Sequence, residues 1–197
     1  YTVYVDKMHW ESVTVTEAQE KASDLLSVSK VVSATATYEN STEHVSGLDS
    51  LYSKKFTGKA GYSGKPTIQY ELPQSYDMTH QALSVDVHRY DFDTSYGAMM
   101  VSLQDSNGNT VVDALVDNIY WLNWNHIEVD FYKYLEDGKS LSDVKYITFT
   151  FYFDRHTEYD REIYLDNLSI TPYETYESVL NGTSALYIGD SISISKP

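Results

Sequence analysis

From Asn125 to Phe131 polar and apolar positions alternate one by one. Asn125, Ile127, Val129 and Phe131 share one side; Trp124, His126, Glu128 and Asp130 share the other. Successive side chains of a strand point to opposite faces, so a period of two predicts a strand with its apolar side on a core. The same beat recurs along the chain. In "TIQYEL" Ile68, Tyr70 and Leu72 turn inward, and Pro73 is the expected stop. In "ALSVDVHRYDF" Leu83, Val85 and Val87 turn inward, with Ser84, Asp86, His88 and Tyr90 outward. "AMMVSLQDSNGNTVVDALV" predicts a hairpin. Met99, Val101 and Leu103 face in, and Asn107-Gly108 supplies the positive φ angles of a tight turn. "KYITFTFYF" puts Ile147, Phe149, Phe151 and Phe153 in, and Tyr146, Thr148, Thr150 and Tyr152 out. "EIYLDNLSI" is a further strand, interrupted at Asp166 and Asn167. Short alternating strands between turn signals predict an all-β, antiparallel two-sheet β-sandwich.

Two segments follow a helical period instead. "TEAQEKASDLL" sets Ala18, Ala22, Leu25 and Leu26 on one face, with Thr16 and Gln19 as a capping box. "ETYESVLNG" predicts a short helix ending at Asn181-Gly182. Both belong to an internal echo. "VYVDKMHW" (Val3–Trp10) and "IYLDNLSI" (Ile163–Ile170) align without gaps, and Glu17 falls on Glu177 at the same offset. An echo of this kind suggests tandem modules. The expected organisation is a tail strand of an upstream unit plus a linker helix over 1–30, one module over 31–172, and an exit linker over 173–197.

The chain has 197 residues, with 14 Lys and Arg against 29 Asp and Glu, for a formal charge of −15. That length buries a core without disulfide or metal staples. The charge repels phosphate backbones and anionic membranes, and attracts cations. The absence of cysteine removes thiol catalysis and Cys-based zinc sites. No stretch reaches the roughly 20 apolar residues of a membrane span. Nineteen tyrosines, three tryptophans and six phenylalanines are unusual for their weight of Tyr, a residue of half-wet surfaces as well as of sheets.

Six segments in order, "GLDSLYSKKF", "QALSVDVHRYD", "VSLQDSNGNT", "NWNHIEVDFYKYL", "LSDVKYITFTF" and "IYLDNLSI", resemble the jelly-roll carbohydrate-binding modules of bacterial glycoside hydrolases and surface glycan-binding proteins. The resemblance covers about residues 31–172. It implies a two-sheet jelly roll with short helical linkers. It implies a non-catalytic sugar-binding role, on a sheet face or at the loop ends, and a structural calcium near the closing Asp-Asn strand. The family's opening Phe-Glu has Tyr38-Glu39 as its nearest stand-in, which makes Glu39 the candidate calcium partner of Asp166.

Sugars offer C–H faces that stack on aromatic rings and hydroxyls that need donors and acceptors. Trp124 with His126 and Glu128 meets that need on one strand, His88 and Tyr90 on a second, and Tyr152 on a third. If those strands adjoin, they make one aromatic-polar strip. Trp124 equally fits a structural place under a loop. Trp121 and Tyr120 precede the strand in a loop and are candidate ligand contacts. Asp166-Asn167 fits a bulge, a hydrogen-bonded strand end or calcium ligation, since calcium takes oxygen ligands. Catalysis finds no metal-binding His motif and no nucleophile elbow. "FDRHTEYDRE" (Phe153–Glu162) is dense in carboxylates that could serve a glycosidase, but it fits a solvated loop.

The expected protein is therefore a non-catalytic polysaccharide binder, of starch or β-glucan type, in a multi-modular extracellular bacterial protein. Its partners would be polysaccharide or oligosaccharide and tandem neighbouring modules, with no nucleic acid and no membrane span. The alternatives are a structural spacer or adhesion domain, and a glycoside-active enzyme domain.

Overall fold

The computed structural model describes residues 24–46, 50–59, 65–89, 98–116, 119, 123–152 and 160–172, and the backbone of 185–188 and 191–194. Ten strands carry the sandwich: β1 (Lys30–Ala34), β2 (Thr37–Ser41), β3 (Ser53–Lys59), β4 (Thr67–Tyr76), β5 (Gln81–Arg89), β6 (Ala98–Asp105), β7 (Thr110–Val116), β8 (Trp124–Val129), β9 (Val144–Tyr152) and β10 (Asp160–Pro172). They form two five-stranded antiparallel sheets. The front sheet runs β1-β4-β9-β6-β7 and the back sheet β2-β3-β10-β5-β8. After β3 the chain changes sheet at every step except the β6–β7 hairpin. This is a jelly-roll β-sandwich. A separate hairpin joins β11 (Ala185–Ile188) to β12 (Ser191–Ile194).

The inward positions read from the alternation form the core. Ile68, Tyr70, Leu72, Met99, Val101, Leu103, Ile147, Phe149 and Phe151 come from the front sheet, and Phe56, Leu83, Val85, Val87, Ile127, Val129, Ile163 and Leu165 from the back. Each such side chain contributes about 1.5–3 kcal/mol through burial. Phe131 is buried too, though it opens a 3-10 turn instead of ending a strand. Asn125 is the polar exception on the inward side. Its amide donates to Val87 O (3.3 Å) and Asn123 O (2.9 Å).

Three expectations change. Helix α1 (Leu25–Val28) starts afresh at Asp24, whose backbone is extended, so no helix runs on through Leu26 from upstream. The Asp24 carboxylate caps this turn by accepting from Leu26 N–H (2.9 Å) and also accepts from Leu168 N–H (2.9 Å) on β10. That pins α1 to the sandwich and buries Leu26 in the core. Pro73 does not end β4, which continues to Tyr76 through a register shift after Glu71. Such an irregularity spares proline the ladder bond it cannot donate. In the β6–β7 turn only Gly108 has positive φ (82°), not Asn107. Asp105 holds this turn, its Oδ1 accepting from Asn107 N–H and Asn109 N–H. The segment at Asp166-Asn167 is a bulge: pairing with β5 shifts between Asp166 and Ser169, and Asn167 sits at φ 52°.

Candidate functional site

The outer face of the back sheet gathers part of the expected site. Strand register places Glu39, Lys55, Tyr164, His88 and Trp124 in one row across all five strands. Asp166, Asp86 and His126 form the next row. His88, Trp124 and His126 therefore do meet. Tyr152 does not join them: β9 lies in the front sheet, so the strip imagined over three adjoining strands is not formed. The physical reason is the crossover between sheets after β8. Tyr90, Tyr120 and Trp121 lie outside the described residues.

This back face is largely covered. Residues 41–46, leaving β2, fold over it as a strap. Ser46 donates its N–H to Asp166 Oδ2 (2.8 Å) and its hydroxyl to Asp86 Oδ2 (2.5 Å). Asn167 donates to Ser46 O (3.3 Å) and Asp86 Oδ2 (2.9 Å). The His44 ring stacks on His88 at 4.1 Å and meets Tyr164 edge-on at 4.7 Å. Lys55 Nζ bridges Glu43 Oε2 and Glu162 Oε1, each at 3.0 Å, and the Tyr164 hydroxyl lies between the same two carboxylates at 3.0 and 3.1 Å. Tyr164, His88, Asp86 and Asp166 are all buried as a result, on a face where alternation alone predicts solvent. Trp124 is half-buried, its ring edge-on to His88 at 5.2 Å.

Charges follow this cover. Burial, with the charge of His44, lowers the His88 pKa from 6.5 to about 4. Burial, with the charge of Asp24, raises the Asp166 pKa to about 6. Burial works to raise Asp86 too, but hydrogen bonds from Ser46, Asn167 and His126 outweigh it and hold that carboxyl below its ordinary range. The Lys55 and Tyr164 hydrogen bonds likewise hold Glu43 low. Burial and the Glu43 hydrogen bond push the Tyr164 phenol up to about 12.

His126 stays open at the sheet edge, its side chain 67% exposed. Its Nδ1 lies 2.7 Å from Asp86 Oδ1 and its Nε2 3.2 Å from Ser84 Oγ. Serine, histidine and aspartate stand here in the order of an acyl-transfer relay. Such a relay also needs N–H groups facing a developing oxyanion. Ser84 sits inside the ladder between β8 and β10, where strand N–H groups are engaged.

Glu39 and Asp166 as a pair do not fit a calcium ion. Glu39 is exposed on β2, opposite Lys55, and β3 separates it from β10. The acid that faces Asp166 electrostatically is Asp24. Both are buried. Among the described residues no group of three or more His, Cys, Asp or Glu gathers to hold a metal.

The outer face of the front sheet differs. Its rows are Glu71, Tyr146 and Gln104; then Gln69, Thr148, Ser102 and Asp113; then Thr67, Thr150, Met100 and Leu115. Tyr152 stands beyond them on β9. All of these side chains are half-buried or exposed. Gln69 donates to Gln104 across β9, so an amide bridge crosses the middle of the face. Thr67 and Thr150 hydroxyls lie 3.4 Å apart. Lys65 Nζ sits 4.7 Å from the Tyr152 ring centre and occupies one side of it. Tyr146 and Tyr152 are six positions apart on one strand, about 20 Å at roughly 3.4 Å per residue. The alternation had marked Tyr146, Thr148 and Thr150 as outward. What it could not show was which strands stand beside them, so Gln69, Gln104 and Met100 escaped notice.

No protein-family model and no curated protein matches the chain. Among solved structures it is similar to a family 11 carbohydrate-binding module from Clostridium thermocellum in complex with a β-1,3-1,4-mixed-linked tetrasaccharide. Identity is 14%, the TM-score 0.51, and the match covers 75% of this chain and 89% of that one. It is similar to an arabinose-bound GH51 α-L-arabinofuranosidase at 22% identity and TM-score 0.51, over 86% of this chain and 26% of that one. It also resembles SGBP-B from a complex xyloglucan utilization locus in Bacteroides uniformis, at 10% identity and TM-score 0.50, over 73% of this chain and 47% of that one. These likenesses establish a shared β-sandwich fold.

Proposed function

We propose that this chain is a non-catalytic polysaccharide-binding module of an extracellular multi-modular protein, and that its glycan lies on the outer face of the front sheet. One observation carries the choice of face. The strap covers Tyr164, His88 and Asp86 in the middle of the back face, while the front face leaves Tyr146 and Tyr152 half-buried among amide, hydroxyl and carboxylate groups. Rings supply stacking surface, and Gln69, Gln104, Thr150 and Asp113 supply the mixed donors and acceptors that sugar hydroxyls need. The fold shared with carbohydrate-binding modules, one of them solved with a β-1,3-1,4-mixed-linked tetrasaccharide, supports a polysaccharide ligand, which we take to be a glucan of β-linked or starch type. Tandem units would strengthen a modest single-site affinity through effective concentration.

Catalysis is not part of this reading. Glu43 and Glu162 form a close carboxylate pair, but Lys55 bridges them and Glu43 is held ionised, so it is a poor general acid. Affinity electrophoresis in gels of mixed-linkage β-glucan, starch and xyloglucan tests the function. Retardation in at least one gel is expected. Free migration in all of them would leave a structural spacer, and release of reducing sugar would mean an enzyme.

Calcium belongs to the proposal with Asp24, not Glu39, as the partner of Asp166. The charge of Asp24 works against ionisation of the buried Asp166 carboxyl, and a hard divalent cation that accepts oxygen ligands would relieve that repulsion. Its role there would be structural, tying α1 to the bulge of β10. Calcium should raise the thermal midpoint over that in EDTA, by up to about 2.7 kcal/mol of stability at a hundredfold excess over Kd. Identical midpoints in calcium and EDTA would remove the metal from the proposal.

A further inference from the structure

A wall stands along the free edge of β7. After β8 the chain enters a 3-10 turn, Phe131–Tyr134, which Asp130 caps by accepting from Tyr132 N–H (3.0 Å). Phe131 plugs the core and anchors the turn, while Tyr132 and Tyr134 remain 52% and 43% exposed. Two side chains of this segment reach the edge of the front sheet. The Tyr134 hydroxyl donates to Leu115 O (3.4 Å), and the Lys139 ammonium donates to Thr110 O (3.1 Å). Among the described residues β7 is the last strand of its sheet and pairs with β6 alone, so its outer carbonyls would otherwise be open to another chain. Residues 131–139 blunt that edge. They also bring the Tyr134 ring beside Leu115, which ends the row Thr67, Thr150, Met100, Leu115 and is 41% exposed.

We propose that Leu115 and Tyr134 extend the front-face glycan site over the β7 edge, as a subsite for the end of a longer oligosaccharide. The inference rests on the front-face reading above and adds a length requirement to it. Three strand spacings separate β4 from β7, about 14 Å at roughly 4.8 Å each. A ligand must reach past β6 before it meets Tyr134; a disaccharide held over β4 and β9 does not, and a longer chain does. The Tyr134 hydroxyl is already tethered to Leu115 O, so ordering the ring on binding costs little further entropy. Tyr132, from the same turn, is differently employed: its ring lies nearly parallel to His80 (11°, 6.4 Å), at the start of β5 in the back sheet. The two tyrosines thus have different neighbours, and Tyr132 makes a matched control.

Calorimetric titration with a β-glucan disaccharide and a mixed-linkage β-1,3-1,4-glucan octasaccharide tests the subsite. Tyr134→Ala should weaken octasaccharide binding about tenfold and leave the disaccharide within about twofold. Leu115→Ser should act in the same direction, and Tyr132→Ala should change neither. Urea unfolding of each variant checks that the fold is intact. If the wild type binds and Tyr134→Ala leaves the octasaccharide unaffected, or weakens both ligands alike, the subsite is refuted and the front-face reading stands. If the wild type binds neither oligosaccharide nor any polysaccharide gel, the glycan reading fails and the subsite with it.

Discussion

His88 shows at the scale of one residue what the strap does. It lies on the outward side of its strand, yet it is buried between His44, Tyr164 and Trp124. Its Nδ1 has no hydrogen-bond partner among the described residues. In the unfolded chain this imidazole takes up a proton near pH 6.5, and in the fold not until about pH 4. Between those values the unfolded state binds more protons, so this group's contribution to stability falls as pH drops through that window. His88→Phe keeps a ring in the stack and removes the titration. Urea unfolding should show the difference between variant and wild type shifting toward the variant as pH goes from neutral to about 5. A difference independent of pH would contradict the burial of His88. The inward residues were legible because burial on the core side leaves a periodic trace. The burial of His88 left none, since what covers it is a polar stretch, Thr42-Glu43-His44, that reads as solvated loop.

At the scale of elements, the strap and the bulge of β10 are one device. Asp166 opens the bulge, Asn167 turns through positive φ, and both side chains reach the strap at Ser46. Asp86 collects the other ends of the same network from Ser46, Asn167 and His126. Hydrogen bonds to a charged acceptor are worth about 1.5–3 kcal/mol each. Ser46→Ala should therefore lower the urea midpoint by about 1.5 kcal/mol of stability with an unchanged m-value. A neutral result would mean that the Ser46 hydroxyl bond to Asp86 does not help to hold the strap. The interruption of alternation at Asp166-Asn167 did signal the bulge in advance. The helix boundary did not show itself, because Ala22, Leu25 and Leu26 keep helical spacing while Asp24 between them spends its carboxylate on Leu168, which no local pattern reveals.

For the whole molecule, topology decides where a ligand can lie. Alternation tells in from out on each strand and nothing about which strands share a sheet. In a jelly roll the chain crosses over between β8 and β9, so Trp124 and Tyr152, outward on strands next to each other in sequence, end on opposite faces. That single crossing divides the expected strip. His88, Trp124 and His126 go to the back face, which the strap partly covers, and Tyr152 to the front, where Tyr146, Gln69 and Gln104 join it. The charge of −15 favours a neutral or cationic partner on either face over a polyanion. The choice between faces is settled most directly by calorimetric titration of mixed-linkage β-glucan against two variants, Tyr146→Ala/Tyr152→Ala and Trp124→Ala. Loss of binding in the first and retention in the second is the predicted result. Retention in the Tyr146→Ala/Tyr152→Ala variant, with loss in a folded Trp124→Ala, would place the glycan on the back sheet and contradict the account.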